Sequence, residues 1–403
     1  MNEKFMDDLV KALKNQYKWC RTYRKECDKQ GYSLKEIVRL VENKELISLP
    51  SIGSNNWKRT RGSFKDLANP NVHGKWLISS STSGDPSYRW CTEGDIRQTL
   101  NSYITAFKKM PFSNLGLIFS MPLHFLEEAS RKFKIDESET EMYALYAFRA
   151  AMKSFEEAEF LYDLAERKVT KGRSESGEDF RTQFQFKNRL FIEKLNYAEK
   201  SGSSVVLGPS ILFLNPIIAQ YSNSHKYNFG KSICVSTGAG GWDGKKGLTR
   251  GEPISKPAYV KALVDWLGIS DPEKQIIDTY GSTENGKAQS GFYSNRWRDF
   301  VFDVGEDTKM FIVDPISKEP LGMGERGVPI FISPYGFEAS AGVVLEQEDD
   351  NMTVVSTYED KTVKQYTHVS KMFRPIGFDS EDKEGCAIDW LEMVSKRFSE
   401  QSK

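Results

Sequence analysis

Apolar positions along this chain follow two rhythms. Near the start, Phe5, Leu9, Leu13 and Tyr17 recur every four residues. That spacing predicts an amphipathic helix laid against the body of the protein. From Lys75 onward the rhythm changes to a short apolar run, a turn of small residues, and then a helical pattern. Four runs of this kind stand out: Lys75–Trp90, Ser204–Ser210, Ser232–Trp242 and Gln275–Gly286. Helices are expected near Asp95–Lys109, from Ser210 to about Tyr221, and near Lys256–Leu267. Strands alternating with helices imply βαβ units and a largely parallel sheet. In such sheets ligands bind at the carboxyl ends of the strands, where all four small-residue turns fall.

Longer helical patterns are expected near Glu139–Lys168 and Glu178–Lys200, separated by the polar stretch Lys168–Asp179. Leu49–Asn71 reads as a loop rich in Ser, Gly, Asn and Pro. Beyond Arg326, VPIFISPYG predicts a further strand, and Met352–Thr357 and Thr362–Tyr366 are short β-like runs. A closing helix is expected from about Ala387. The acidic turn Glu346–Asn351 suggests a boundary. The chain divides into an N-terminal helical segment (1–70), an α/β domain (71–346) and a small α+β lid (347–403).

Charge narrows the function classes. Lys plus Arg and Asp plus Glu are balanced at 56 each, without the basic excess that phosphate contacts give a nucleic-acid binder. The longest apolar stretch, Val205–Ala219, is interrupted by Gly208, Pro209, Asn215 and Pro216. A spanning helix needs about 20 mostly apolar residues, so no membrane span is expected. The N-terminus has no signal-peptide core. Five scattered cysteines, with no Cys-x-x-Cys pair, fit a reducing, cytoplasmic setting.

Four places hold chemistry-bearing residues. Ser79 to Ser83 are five consecutive hydroxyl residues before Gly84-Asp85-Pro86. Small side chains there let backbone N–H groups approach an anion, and the hydroxyls add donors. Ser80, Ser81, Thr82, Ser83 and Gly84 are candidate phosphate binders, though a solvated surface loop has the same composition. No Walker A pattern is present. Tyr280-Gly281-Ser282-Thr283-Glu284 ends an apolar strand, with a hydroxyl suited to phosphate beside a carboxylate suited to Mg²⁺. Gly238, Gly240 and Gly241 suggest backbone close to a ligand. Cys386 follows Gly385 at a helix start, where the dipole would favour a thiolate; a lone cysteine is more often a small buried apolar residue. The four histidines carry no local motif.

Taken in order, these elements resemble the adenylate-forming superfamily, whose Tyr-Gly-x-Thr-Glu motif is matched at Tyr280, Gly281, Thr283 and Glu284. Within it, VVLGPSILF, STGAGGW and the terminal KEGCA are similar to the acyl-protein synthetases, the long-chain-fatty-acid–protein ligases of bacterial bioluminescence. The similarity runs from about Leu77 to the C-terminus.

The resemblance implies a large mixed/parallel α/β domain with a small lid. It implies ATP and Mg²⁺ as cofactors, with Glu284 ligating the metal and Thr283 donating to the α-phosphate. It implies activation of a fatty or aromatic acid as acyl-AMP, transfer to Cys386, and delivery to an NADPH-dependent acyl reductase partner. An acyl-CoA ligase of phenylacetate type and a non-catalytic nucleotide-binding subunit are the alternatives. Two features depart from the superfamily. The first loop reads Ser-Gly-Asp-Pro-Ser-Tyr-Arg without the usual lysine, leaving Arg89 as a candidate for that charge. The ribose-binding Asp is not recognisable; Glu346, Glu348 and Asp349 are candidates, as are Lys364 and Lys371 for the catalytic lysine of the lid.

Overall fold

The computed structural model describes residues 3–58, 62–79, 86–111, 114–120, 122–131, 134–135, 138–164, 184–208, 211–238, 240, 242, 245–246, 249–250, 252–348 and 350–370. A 13-stranded sheet runs through the molecule. One end of it is parallel: Glu157–Phe160, Leu115–Ile118, Val205–Gly208, Ile233–Ser236 and Ile276–Gly281 lie side by side, with Glu157–Phe160 at the edge. Beyond Ile276–Gly281 the direction reverses. Ala288–Ser294, Asp299–Asp303, Val363–Ser370 and Asp350–Thr357 continue as antiparallel neighbours. The expected largely parallel sheet is therefore mixed, parallel in these five strands and at its opposite edge and antiparallel between. Antiparallel pairs need only short connections, and the later strands are joined by turns rather than crossover helices.

Leu115–Ile118, Val205–Gly208 and Ile233–Ser236 are buried on both faces, which explains their apolar runs. Successive side chains alternate between two cores. Leu115, Leu117, Val205, Leu207, Ile233 and Val235 face a core shared with Phe191, Leu195, Leu263 and Trp266 of the flanking helices Asn188–Ser201 and Lys256–Leu267. Val206, Cys234 and Ile277 face the other side, with Met110. A second sheet of four strands joins Lys75–Ile78 antiparallel to Tyr88–Cys91 and parallel to Ser138–Met142.

The pattern over 139–168 forms no single helix. Ser138–Met142 is a strand, Ala144–Ser154 a helix, and Glu157–Phe160 and Tyr162–Leu164 are strands. Pairing of Glu157–Phe160 with the fully buried Leu115–Ile118 overrides local helix preference. Downstream, the helix covers Asn188–Ser201, preceded by the strand Phe184–Phe186.

The N-terminal segment forms three helices, Glu3–Trp19, Arg21–Lys29 and Leu34–Glu42. The last opens on a capping box between Ser33 and Glu36. Phe5, Leu9 and Leu13 are buried against a core that includes Phe311, Ile330, Val344 and Leu345. The chain then adds Ile52–Gly53 to the sheet as a parallel edge strand beside Val344–Glu346. Trp57, fully buried, closes the turn that follows. Of the expected lid, 347–370 contains the two sheet strands already named; 371–403, with the expected closing helix, lies outside the described residues. No described helix is long and apolar enough to cross a membrane.

Candidate nucleotide site at the Tyr280–Glu284 turn

The strand Ile276–Gly281 leaves the sheet at its carboxyl end, where Gly281 is exposed. The chain reverses into Ala288–Ser294 through a turn held by Gly286 N donating to Ser282 O at 2.8 Å and Asn285 N donating to Ser282 Oγ at 3.1 Å. Gly286 takes a left-handed conformation, φ +66°, and lies directly against the Arg89 guanidinium, where a Cβ has no room. Only glycine meets both demands. Thr283, Glu284 and Asn285 are buried. The side-chain amide of Asn285 and Nη1 of Arg89 have no hydrogen-bond partner, so two orphaned polar groups flank Gly286. Buried groups of this kind call for water or a ligand.

The Glu284 carboxylate accepts from Ser87 Oγ, and Lys58 Nζ stands 3.7 Å from its Oε1. Lys58 and Ser87 also face each other across an isolated antiparallel β-bridge. Three distant parts of the chain thus meet at one carboxylate.

At the start of the strand Asp350–Thr357, Asp350 accepts from Tyr280 OH, and His368 Nε2 lies 3.4 Å from its other oxygen. The Tyr280 and His368 rings are 4.8 Å apart. Burial pushes the Asp350 carboxyl up, but the hydrogen bonds and positive charge of His368, the Tyr280 hydroxyl and the charge of Lys58 outweigh it, leaving the group below the ordinary aspartate range. Asp278, two residues before Tyr280, behaves oppositely. Burial raises it, and Lys256 and Thr237 only partly oppose that. Lys256 is itself paired with Asp299 and donates to His368 O at 3.1 Å.

The structure brings Tyr280, Gly281, Ser282, Thr283 and Glu284 together with the start of the glycine segment. Thr237 N donates to Ile277 O at 2.8 Å, so Gly238 follows the end of the adjacent parallel strand. Gly240 has φ +73°. Ser80 to Gly84, Gly241, Asp349, Lys371 and Cys386 lie outside the described residues. Arg89, the candidate for the charge missing from the first loop, lies against this turn. It is buried at 1% exposure, donates to Gly336 O, lies 3.4 Å from Ser340 Oγ, and sits 4.6 Å over the Phe337 ring. It braces the segment 336–340 from the interior rather than extending from the first loop. Asp95 holds the same segment through Glu338 N and Ala339 N, at 2.9 and 3.2 Å.

Glu346 and Glu348 are also turned elsewhere. Glu346 pairs with Lys318 and accepts from Ser51 Oγ at 3.3 Å, and Glu348 accepts from Asn55 N and Nδ2 at 3.1 and 3.0 Å. Asp350 of the same acidic run is the carboxylate beside the motif, with Gln347 Oε1 accepting from Ser282 Oγ at 3.3 Å. Lys364 is exposed on its strand. Sequence reasoning missed Lys58, Ser87, Asp350 and His368. The only local signals were an acidic run one residue longer than the three candidates taken from it and a serine just past the hydroxyl loop.

Among the described residues no three His, Cys, Asp or Glu side chains gather as a metal cage. A single carboxylate such as Glu284 would still fit Mg²⁺, which commonly takes one or two carboxylates and completes its shell with phosphate oxygens and water. Glu284 is the residue that would hold it. The four described cysteines are all buried. Burial pushes the thiols of Cys27, Cys91 and Cys234 up to about 12 and raises Cys20.

No family model and no curated protein matches the sequence. Solved structures do match. A 2-hydroxyisobutyryl-CoA ligase in an open conformation, in complex with 2-HIB-AMP and CoA, superposes with a TM-score of 0.54 at 12% identity, over 91% of this chain and 69% of that one. The same ligase in its postadenylation state gives 0.52 at 13%, over 93% and 69%. This chain therefore has the α/β fold of a ligase solved with an acyl-adenylate bound, and its Tyr280–Glu284 turn stands at the carboxyl end of a central strand of that fold.

Proposed function

We propose that the protein activates a carboxylic acid with ATP as an acyl-adenylate and passes the acyl group to a thiol. The observation that carries this reading is the turn itself. Thr283 and Glu284 are presented side by side on a glycine-closed turn beside Asp350, in a fold shared with an adenylate-bound ligase. Thr283 would donate to the α-phosphate, and Asp350, held by Tyr280, would accept from the ribose hydroxyls. Mg²⁺ on Glu284 would neutralise charge on the phosphate oxygens. The substrate carboxylate attacks the α-phosphorus in line and pyrophosphate leaves. Because charge accumulates on oxygens, fixed donors supply much of the rate.

The finer reading is an acyl-protein synthetase. Its thiol is Cys386, whose thiolate attacks the acyl carbonyl as AMP leaves, splitting one transfer into two easier steps. The burial and raised pKa of the other four cysteines support this choice. An NADPH-dependent acyl reductase would then take the acyl group. The likeness to a ligase solved with CoA favours a second reading, in which coenzyme A is the acceptor.

Intact-mass measurement after incubation with ATP, Mg²⁺ and a panel of fatty and aromatic acids separates the two. An ATP-dependent, hydroxylamine-labile acyl adduct that is absent from Cys386→Ala is the expected result. AMP release that rises with coenzyme A, without an adduct, would assign the acceptor to coenzyme A. Absence of both adduct and AMP across the panel would count against an active ligase.

A further inference from the structure

An ionised carboxylate offers about four acceptor sites, two on each oxygen. Asp350 is held by the protein at both oxygens. Oδ2 accepts from Tyr280 OH, and Oδ1 lies 3.4 Å from His368 Nε2. Each oxygen keeps a second acceptor site on the same plane. Two acceptors so placed match two hydroxyl donors on adjacent carbons, which is the chemistry of a vicinal diol. The Asp350 and His368 side chains are 19% and 16% exposed, so a ligand can reach them.

The hold on the carboxylate is built. Asp350 pairs with Ser370 and Met352 with His368 across two antiparallel strands, which makes Asp350 and His368 diagonal neighbours within reach of long side chains. The His368 ring packs 4.8 Å from the Tyr280 ring, its carbonyl accepts from Lys256 Nζ at 3.1 Å, and Met352 opposite is fully buried. The charge of Lys58 also reaches Asp350. The last torsion of an aspartate is broad and roughly two-fold. A tether at one oxygen alone therefore leaves the carboxylate plane free to turn, and a contact at the other oxygen stops it.

Resting on the ATP reading, we propose that His368 is a positioning residue for the nucleotide: it fixes the plane of Asp350 so that one acceptor on each oxygen meets the ribose diol. Tyr280 tethers the carboxylate, and His368 sets its direction. The pair makes the site selective for a ribonucleotide over a ligand that lacks the diol.

Equilibrium binding of ATP and of dideoxy-ATP, which lacks both ribose hydroxyls, tests this on the full chain with Mg²⁺ present. Wild type is compared with Asp350→Asn, His368→Phe and His368→Gln. Wild type should prefer ATP by about 10- to 100-fold, the range of hydrogen bonds to a charged group. In His368→Phe the preference should shrink to less than about 3-fold, with dideoxy-ATP affinity unchanged. His368→Gln, whose amide can donate to the same oxygen, should recover most of the preference. A full preference in His368→Phe would overturn the proposal, as would equal loss of both nucleotides, which marks a purely structural role. Asp350→Asn separates this proposal from the reading beneath it. A preference lost there but kept in His368→Phe would remove His368 alone. A preference kept in Asp350→Asn, or absent from wild type, would overturn the ribose contact and this proposal with it, and wild type binding neither nucleotide would overturn the ATP reading itself. A measurement on the wild type needs no variant. The imidazole nitrogen resonances of His368 in isotope-labelled protein should shift with ATP and not with dideoxy-ATP, and identical shifts with both would refute the contact.

Discussion

Tyr280 donates its hydroxyl to Asp350, 70 residues further along the chain. This joins the motif strand to the returning strand Asp350–Thr357 and fixes a carboxylate beside the Tyr280–Glu284 turn. Tyr280→Phe and Asp350→Asn should each destabilise the protein by about 1–3 kcal/mol, as expected for a buried hydrogen bond to a charged group. A double-mutant cycle read by denaturant unfolding should show the two losses overlapping rather than adding. In pyrophosphate exchange, Asp350→Asn should raise the KM for ATP more than it lowers kcat.

Asp350 and Asp278 should pull stability in opposite directions with pH. The folded-state pKa of Asp350 lies below the ordinary 3.8, so its contribution is present above that pH and is lost as pH falls through the folded value. The pKa of Asp278 lies above 3.8, so folding favours its protonated form and the protein loses stability as pH rises through the window above 3.8. Urea titrations across pH 3 to 7 (roughly the span between acid and neutral carboxylates) should show Asp278→Asn gaining on wild type toward neutrality. Asp350→Asn should fall behind only at the acid end, up to about 3.8, and keep a constant deficit above it. Parallel curves for the two variants would contradict the assignment.

Glu284→Gln keeps an acceptor for Ser87 and removes the charge. ATP–pyrophosphate exchange should drop by about 100-fold or more, the scale of losing a group that stabilises transition-state charge. Thermal unfolding should shift by only a few degrees, because the hydrogen bond survives. A variant with near-normal exchange would remove Glu284 from the metal-binding role.

Gly286→Ala places a methyl against the Arg89 guanidinium at φ +66°. The left-handed backbone alone costs about 1 kcal/mol, and the steric conflict should bring the total to about 2–3 kcal/mol. Circular dichroism melts would measure it. Adenosine binding should weaken in parallel, since Arg89 and the turn move together.

Where the candidate site falls in the fold was legible because its strand is local. A run ending in Tyr-Gly-Ser-Thr-Glu declares a strand and its carboxyl end within a dozen residues. The strand–turn–helix units around Val205, Ile233 and Ile276 and the helix carrying Phe5, Leu9 and Leu13 were readable for the same reason. What escaped was non-local. Glu157–Phe160 has a helix-like pattern and becomes a strand only because Leu115–Ile118 offers an open edge. Lys58 sits in a Ser- and Asn-rich stretch that looks like any surface loop, and nothing within it announces Ser87 or Glu284. Asp350 differs from Glu346 and Glu348 only in which face of the chain it occupies, which pairing across the sheet decides. The burial of Arg89 is likewise set by packing that its neighbours in the sequence do not show.

The bond from Asn55 N to Glu348 spans 293 residues, and it has a consequence for how the protein is made. The edge strand Ile52–Gly53 and the turn bearing Lys58 are synthesised long before their partners Val344–Glu346 and Glu348. Long-range pairing of this kind raises contact order and slows folding. The three N-terminal helices must therefore wait for Val344 and Leu345 before Phe5, Leu9 and Leu13 gain their full cover. The Lys58–Glu284 contact likewise waits for Glu284, so the first segment of the chain stays without its partners until the motif strand has followed it.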